Sequence, residues 1–276
     1  MSEDQTRNFS AHRLEISMSY PFPAIIGFLS LFIYISSVSL QGLPDYGMTL
    51  YLPIGWDSIT MTEELAAAIR TMTTRASVLS ILNSFYIVLL LIPLLIAFNF
   101  ALSFGNGQIR TLVSYPIGRG KLLLVKSGLV FVLITTAVSL GGIIGLIFFY
   151  PFSIDVVLLG QLLIPLWITV FLITSSCTFI AVLSRSAPVT AVGGIGVWVG
   201  VFVMTPSQSI PSFLVYVLYP ILAAINYVLP DSPSPSPLSY LWTTSMNDVL
   251  YGCGVALVLG ILLLYLSIMV FRRLEV

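Results

Sequence analysis

Six stretches of this sequence run almost without interruption through apolar side chains: residues 24–40, 78–102, 122–149, 156–183, 189–204 and 249–271. About 20 such residues are needed to carry a helix across the hydrocarbon of a bilayer. Lipid offers no partner for backbone N–H and C=O groups, so a spanning chain is either a helix bundle or a closed barrel. The apolar residues here are continuous instead of alternating, which selects helices. Composition points the same way. The chain is 58% hydrophobic and 8% charged, against roughly 25% charged for a soluble domain, and so few charges cannot cover an aqueous surface. The expected fold is an all-α integral membrane bundle of six spans in one domain, residues 24–276, preceded by a tail, residues 1–23, that includes an interfacial segment.

A seventh apolar stretch, residues 213–229, contains Pro220, follows Pro211 and leads into a proline-rich run from Pro230 to Pro237. This composition suits a re-entrant or interfacial segment better than a plain span. Charge placement decides the count. With six spans and an internal N-terminus, Arg7, Arg13, Arg110, Arg119, Lys121, Lys126, Arg185, Arg272 and Arg273 fall inside, and only Arg70 and Arg75 fall outside. That is the asymmetry expected for cytoplasmic loops, and it sets both termini in the cytoplasm of a multi-pass cell-membrane protein. A seventh span would move Arg272 and Arg273 outside.

Several chemistries are disfavoured. Eleven basic residues balance eleven acidic ones, so no basic face advertises nucleic acid. Lys126 is counted with the loop before the third span, and on that count the hydrocarbon segments hold no Asp, Glu, Lys, Arg or His. Ion-coupled transporters and proton relays usually keep such a group in the membrane. The single histidine, His12, lies in the tail, away from any metal or hydrolase constellation. Cys177 and Cys253 sit inside apolar runs, as structural thiols do. Gly118-Arg119-Gly120-Lys121 looks like the end of a phosphate-binding loop, but that motif requires Gly at 115 and Ser or Thr at 122, where this chain has Tyr115 and Leu122. No catalytic, metal or cofactor residue is expected on this chain.

What remains inside the spans is packing chemistry. Asn83, Asn99, Gln161, Thr174, Ser175 and Ser176 are candidates for interhelical hydrogen bonds, and Pro93 and Pro165 for kinks. Glycines cluster at 141, 142 and 145 and at 193, 194, 196 and 200, spacings that let helix backbones approach closely. Gly196 and Gly200 on the fifth span are the candidate dimer contact. Between the first two spans, Thr60-Met61-Thr62-Glu63 fits a capping box opening a loop helix.

The longest internal loop, read from Gly107 to Lys126, places Ile109, Leu112 and Val113 at helical spacing and ends the pattern at Pro116. From the residues alone it is a short amphipathic cytoplasmic helix followed by a basic interfacial anchor. Its Gly107, Thr111, Leu112, Ser114, Pro116, Gly118, Arg119 and Lys126 resemble the loop of permease subunits of type-2 ATP-binding-cassette (ABC) transporters. The Tyr115-Pro116-Ile117-Gly118-Arg119-Gly120 core is most similar to permeases of nitrous-oxide-reductase maturation systems. Asn106 and Gln108 stand where that family carries an acidic residue. The resemblance implies a permease subunit paired with a second copy or a paralogue and with separate cytosolic ATPase subunits that hold ATP and Mg. It further implies outward transport by alternating access, with Ile109, Arg110, Leu112, Val113, Pro116 and Arg119 contacting the ATPase. Two other classes stay open on the residues: a channel-like, lipid-handling or assembly protein without an ATPase, and a membrane-embedded enzyme using Asp or Ser at the outer surface.

Overall fold

The computed structural model describes residue 78 and residues 85–105, 118–149, 156–204, 212–228 and 245–273. The described residues are helical without a strand, and four helices are long and apolar enough to cross a membrane. They are α1 (Phe85–Phe104), α2 (Arg119–Phe149), α3 (Val156–Ser184) and α7 (Met246–Arg273). A shorter apolar helix, α4 (Ala187–Met204), pairs with α3, and two short helices, α5 (Ser212–Leu218) and α6 (Pro220–Val228), precede α7. These four apolar helices are compatible with a multi-pass membrane protein, and the boundaries of α2, α3, α4 and α7 follow the expected spans within about three residues. The expected first span, the tail and the capping box at Thr60 lie outside the described residues.

Ring contacts and glycines give the direction of each helix. Phe131 meets Phe171 edge-on at 5.8 Å, and Trp167 donates its indole N–H to Ser139 Oγ at 2.9 Å, so α2 and α3 are antiparallel. Gly260 rests on Phe171 and Leu172, and Gly120 faces Ile268 and Arg272, which sets α7 parallel to α3 and antiparallel to α2. Phe271 packs on Phe100 and Phe104 near the end of α1. Leu172-to-Arg185 and Gly260-to-Arg273 are equal lengths of helix, so Arg185 ends at the level of Arg273. Arg119, Lys121, Arg185, Arg272 and Arg273 therefore share one end of the bundle. Asp248, the only acidic side chain among the described residues, lies at the other.

Each terminus at these ends has a local cause. At the start of α7, Ser245 and Asp248 form a reciprocal cap: Ser245 donates its N–H and hydroxyl to the Asp248 carboxylate at 2.8 and 2.6 Å, and its oxygen accepts the Asp248 N–H at 3.3 Å. At the other end, Arg185 adopts a left-handed φ of 52° and stops α3, the backbone conformation typical just past a helix C-terminus and usually given to glycine. Ser186 then accepts the Thr190 N–H at 3.0 Å and its hydroxyl at 2.8 Å to open α4.

α7 packs more broadly on α3 than on any other helix. Its buried stripe is made of Val249, Gly252, Ala256, Gly260, Ser267 and Phe271, a helical spacing dominated by small residues. The approach is close: a Cβ added to Gly252 would stand 2.6 Å from the Tyr216 carbonyl oxygen, and one added to Gly260 2.7 Å from the Phe171 ring. Without side chains in the way, dispersion contacts and backbone proximity hold helices that the hydrophobic effect does not drive together inside lipid.

The stretch at 213–229 is not one continuous helix. The helix breaks at Tyr219, ahead of Pro220, whose ring nitrogen has no proton to give. The second half is buried from Pro220 through Asn226, against α3 and α7. Thr169 Oγ1 on α3 accepts the Ile221 N–H at 3.3 Å, satisfying a donor left over at the break. Tyr219 is fully buried within a ring cluster of Phe85, Trp198 and Phe202. Its hydroxyl donates to the Trp198 carbonyl, and the Trp198 indole donates in turn to Ser176 Oγ at 2.8 Å.

Candidate functional site at the basic end of the bundle

α2 starts three residues earlier than the expected span. The Gly118 carbonyl accepts the Lys121 and Leu122 N–H groups at 2.8 and 3.2 Å, so the Gly-Arg-Gly-Lys stretch already belongs to the helix. This corrects the placement of Lys126. It is not a loop residue but stands about two turns inside α2, half buried, and the described membrane helices do contain a titratable group. The run of Leu122, Leu123, Leu124 and Val125 ahead of it is apolar enough to be helix, and a lysine can occupy such a place when its long stem carries the ammonium to polar partners.

Those partners are supplied by a defect in α1. Between Ala97 and Ala101 the helix is a π turn, with the Leu102 N–H reaching back five residues to the Ala97 carbonyl. Such single-turn bulges loosen the carbonyl ladder and recur at functional sites. Lys126 Nζ donates to the Asn99 carbonyl at 3.0 Å and to Ser103 Oγ at 2.9 Å, while Ser103 donates to the same carbonyl at 3.1 Å. Two of the three ammonium protons are thereby placed. Among the described residues no carboxylate faces Lys126, so the charge is held by a peptide dipole and a hydroxyl in place of a counter-ion.

One helical stretch away, Arg119 donates to the Arg272 carbonyl at 3.5 Å, where α7 runs out of intrahelical partners for its last carbonyls. A cation there also opposes the helix dipole favourably. The residues flanking 106–117 are thus fixed twice: α1 to α2 through Lys126, and α2 to α7 through Arg119. Of the expected ATPase-contact residues, Arg119 is in this arrangement, while Ile109, Arg110, Leu112, Val113 and Pro116 lie outside the described residues.

The glycines divide. Gly194 is wedged between α1 and α3, where an added Cβ would stand 2.8 Å from Pro93 and 3.1 Å from Cys177 Sγ; Gly196 and Gly200, the candidate dimer residues, have open space beside them among the described residues. Cys177 is buried and Cys253 half-buried, and both are free thiols. Of the expected polar contacts, Ser176 does join α3 to α4 through Trp198, and Asn99 acts through its carbonyl. The buried Thr174 hydroxyl has no partner among the described residues. Sequence reasoning passed over Lys126 as a bonding group and the Gly252–Ala256–Gly260 seam. Both left signals, the first as a cation inside an apolar run and the second as small residues at every fourth position. Comparisons with protein-family models, with curated proteins and with solved structures gave no match.

Proposed function

We propose that the chain is the membrane-spanning permease subunit of an ABC transporter, an exporter whose ATP hydrolysis takes place on separate cytosolic chains. The observation that supports this best is the double fixing of the residues flanking 106–117, through Lys126 onto Asn99 and Ser103 and through Arg119 onto Arg272. A loop that receives force from a partner needs rigid roots, and these two contacts connect it to three membrane helices. The shared basic end is the cytoplasmic one by the distribution of Lys and Arg. Asp248 then faces outward, and α5 and α6 form a re-entrant segment that enters from the outer side: Tyr216 lies against Gly252 near the start of α7, Ile221 lies deeper beside Thr169, and Ser245 is back at the outer end. Among the described residues Lys126 has no acidic partner for a proton relay, which supports an energy source on another chain.

The test is copurification. The tagged full chain, extracted in mild detergent from its native membrane, is expected to bring down a soluble ATPase bearing a phosphate-binding loop, together with vanadate-sensitive ATP hydrolysis. Leu112→Asp puts a carboxylate into the apolar contact and should lower recovered ATPase at least about tenfold, the equivalent of ~1.4 kcal/mol, at unchanged expression. Normal recovery with Leu112→Asp, or wild-type particles without hydrolysis, overturns the reading.

A further inference from the structure

A groove of about 300 Å³ opens on the side of the bundle between α2, α3 and α7. Phe131, Trp167, Phe171, Leu257 and Ile261 line it. The one polar atom these side chains carry, the indole N–H of Trp167, is committed to Ser139, so nothing in the groove rewards a polar ligand. From Ile261 the seam between α2 and α7 leads to the basic end. On α7 it passes Ile268 and Arg272 at helical spacing; on α2 it runs from Phe131 at the groove to Gly120, which meets both Ile268 and Arg272 and is followed in the chain by Lys121.

The distance along that seam is informative. Ile261 and Arg272 are eleven residues apart on one helix (272 − 261), or about 16 Å at the α-helical rise. Half of a bilayer's hydrocarbon core is about 15 Å. The apolar groove therefore lies one leaflet's depth beneath a mouth where Lys121, Arg272 and Arg273 are all exposed and where no described side chain carries negative charge. A molecule that fits both ends has an anionic head and a hydrocarbon tail as long as a leaflet is thick.

We infer that this seam holds a resident phospholipid with an anionic headgroup, the head on Lys121 and Arg272 and one acyl chain in the groove beneath. Charge complementarity at the mouth distinguishes it from the bulk lipid that coats the rest of the apolar surface. The inference does not rest on the transport reading, since it uses neither residues 106–117 nor a partner chain.

Native mass spectrometry of the full chain released from nanodiscs containing equal phosphatidylglycerol and phosphatidylcholine is the direct test. Wild-type protein is expected to retain one phosphatidylglycerol through detergent exchange. The paired change Lys121→Gln and Arg272→Gln should reduce that retention about tenfold, and Ile261→Trp, which fills the groove, should reduce it without altering the charge. A second measurement uses a chain in which Trp56, Trp198 and Trp242 are replaced by Phe, leaving Trp167 as its one tryptophan: phosphatidylglycerol brominated on its acyl chain should quench its fluorescence more strongly than brominated phosphatidylcholine. Equal retention of the two lipids, unchanged retention in the paired variant, or equal quenching by both brominated lipids overturns the proposal.

Discussion

α4 and α7 are both rich in glycine, yet they use it in opposite ways. On α7, Gly252 and Gly260 are closed over by a backbone carbonyl and an aromatic ring, and the helix is bound into its own chain through them. On α4 only Gly194 is used in this manner, while Gly196 and Gly200 look into open space. The spacing is helical in both. A row of small residues announces that something can come close, but what comes close is decided by the rest of the fold. For α7 it is α3 and α5 of the same chain; for Gly196 and Gly200 on α4 nothing among the described residues comes close.

Adding a single methyl group at each position sharpens the contrast. Gly252→Ala should have the largest effect, because the atom in the way is the Tyr216 carbonyl oxygen, which cannot rotate aside. Overpacking of this kind costs roughly 1–3 kcal/mol, and the upper part of that range should appear as a lower unfolding midpoint of the purified protein in detergent. Gly194→Ala meets the rigid Pro93 ring and the Cys177 sulfur, and a smaller loss of about 1–2 kcal/mol is expected in the same measurement. Gly196→Ala should not destabilise the fold at all. With room for the methyl group, the better helix propensity of alanine contributes up to about 1 kcal/mol in the opposite direction. An ordering with Gly196→Ala as the most damaging change would show that α4 is packed as α7 is.

The positions of the long helices were legible from apolar run length alone, since nothing else in a bilayer can satisfy the backbone over such stretches. The break ahead of Pro220 was legible for the same reason that proline interrupts any helix. Lys126 was misplaced because its charge marked the end of the loop in the sequence, whereas its bonding partner is the carbonyl of Asn99, inside a π turn of another helix, and no residue in Ala97–Ala101 announces that turn. The Tyr219, Trp198 and Ser176 chain of donors joins three separate stretches and could not be read locally. The capping pair Ser245 and Asp248 could have been, as Ser-x-x-Asp ahead of an apolar run is a helix-opening pattern.

The burial of α6 has a consequence for how the protein is made. Its apolar residues are covered by α3 on one side and α7 on another, and its Asn226 is buried with them. α3 precedes it in the chain, so that surface is ready as α6 leaves the ribosome. α7 follows it, so the other surface does not yet exist. During synthesis this broken segment must wait half-covered, and that quarter of the bundle can close only after α7 has been inserted.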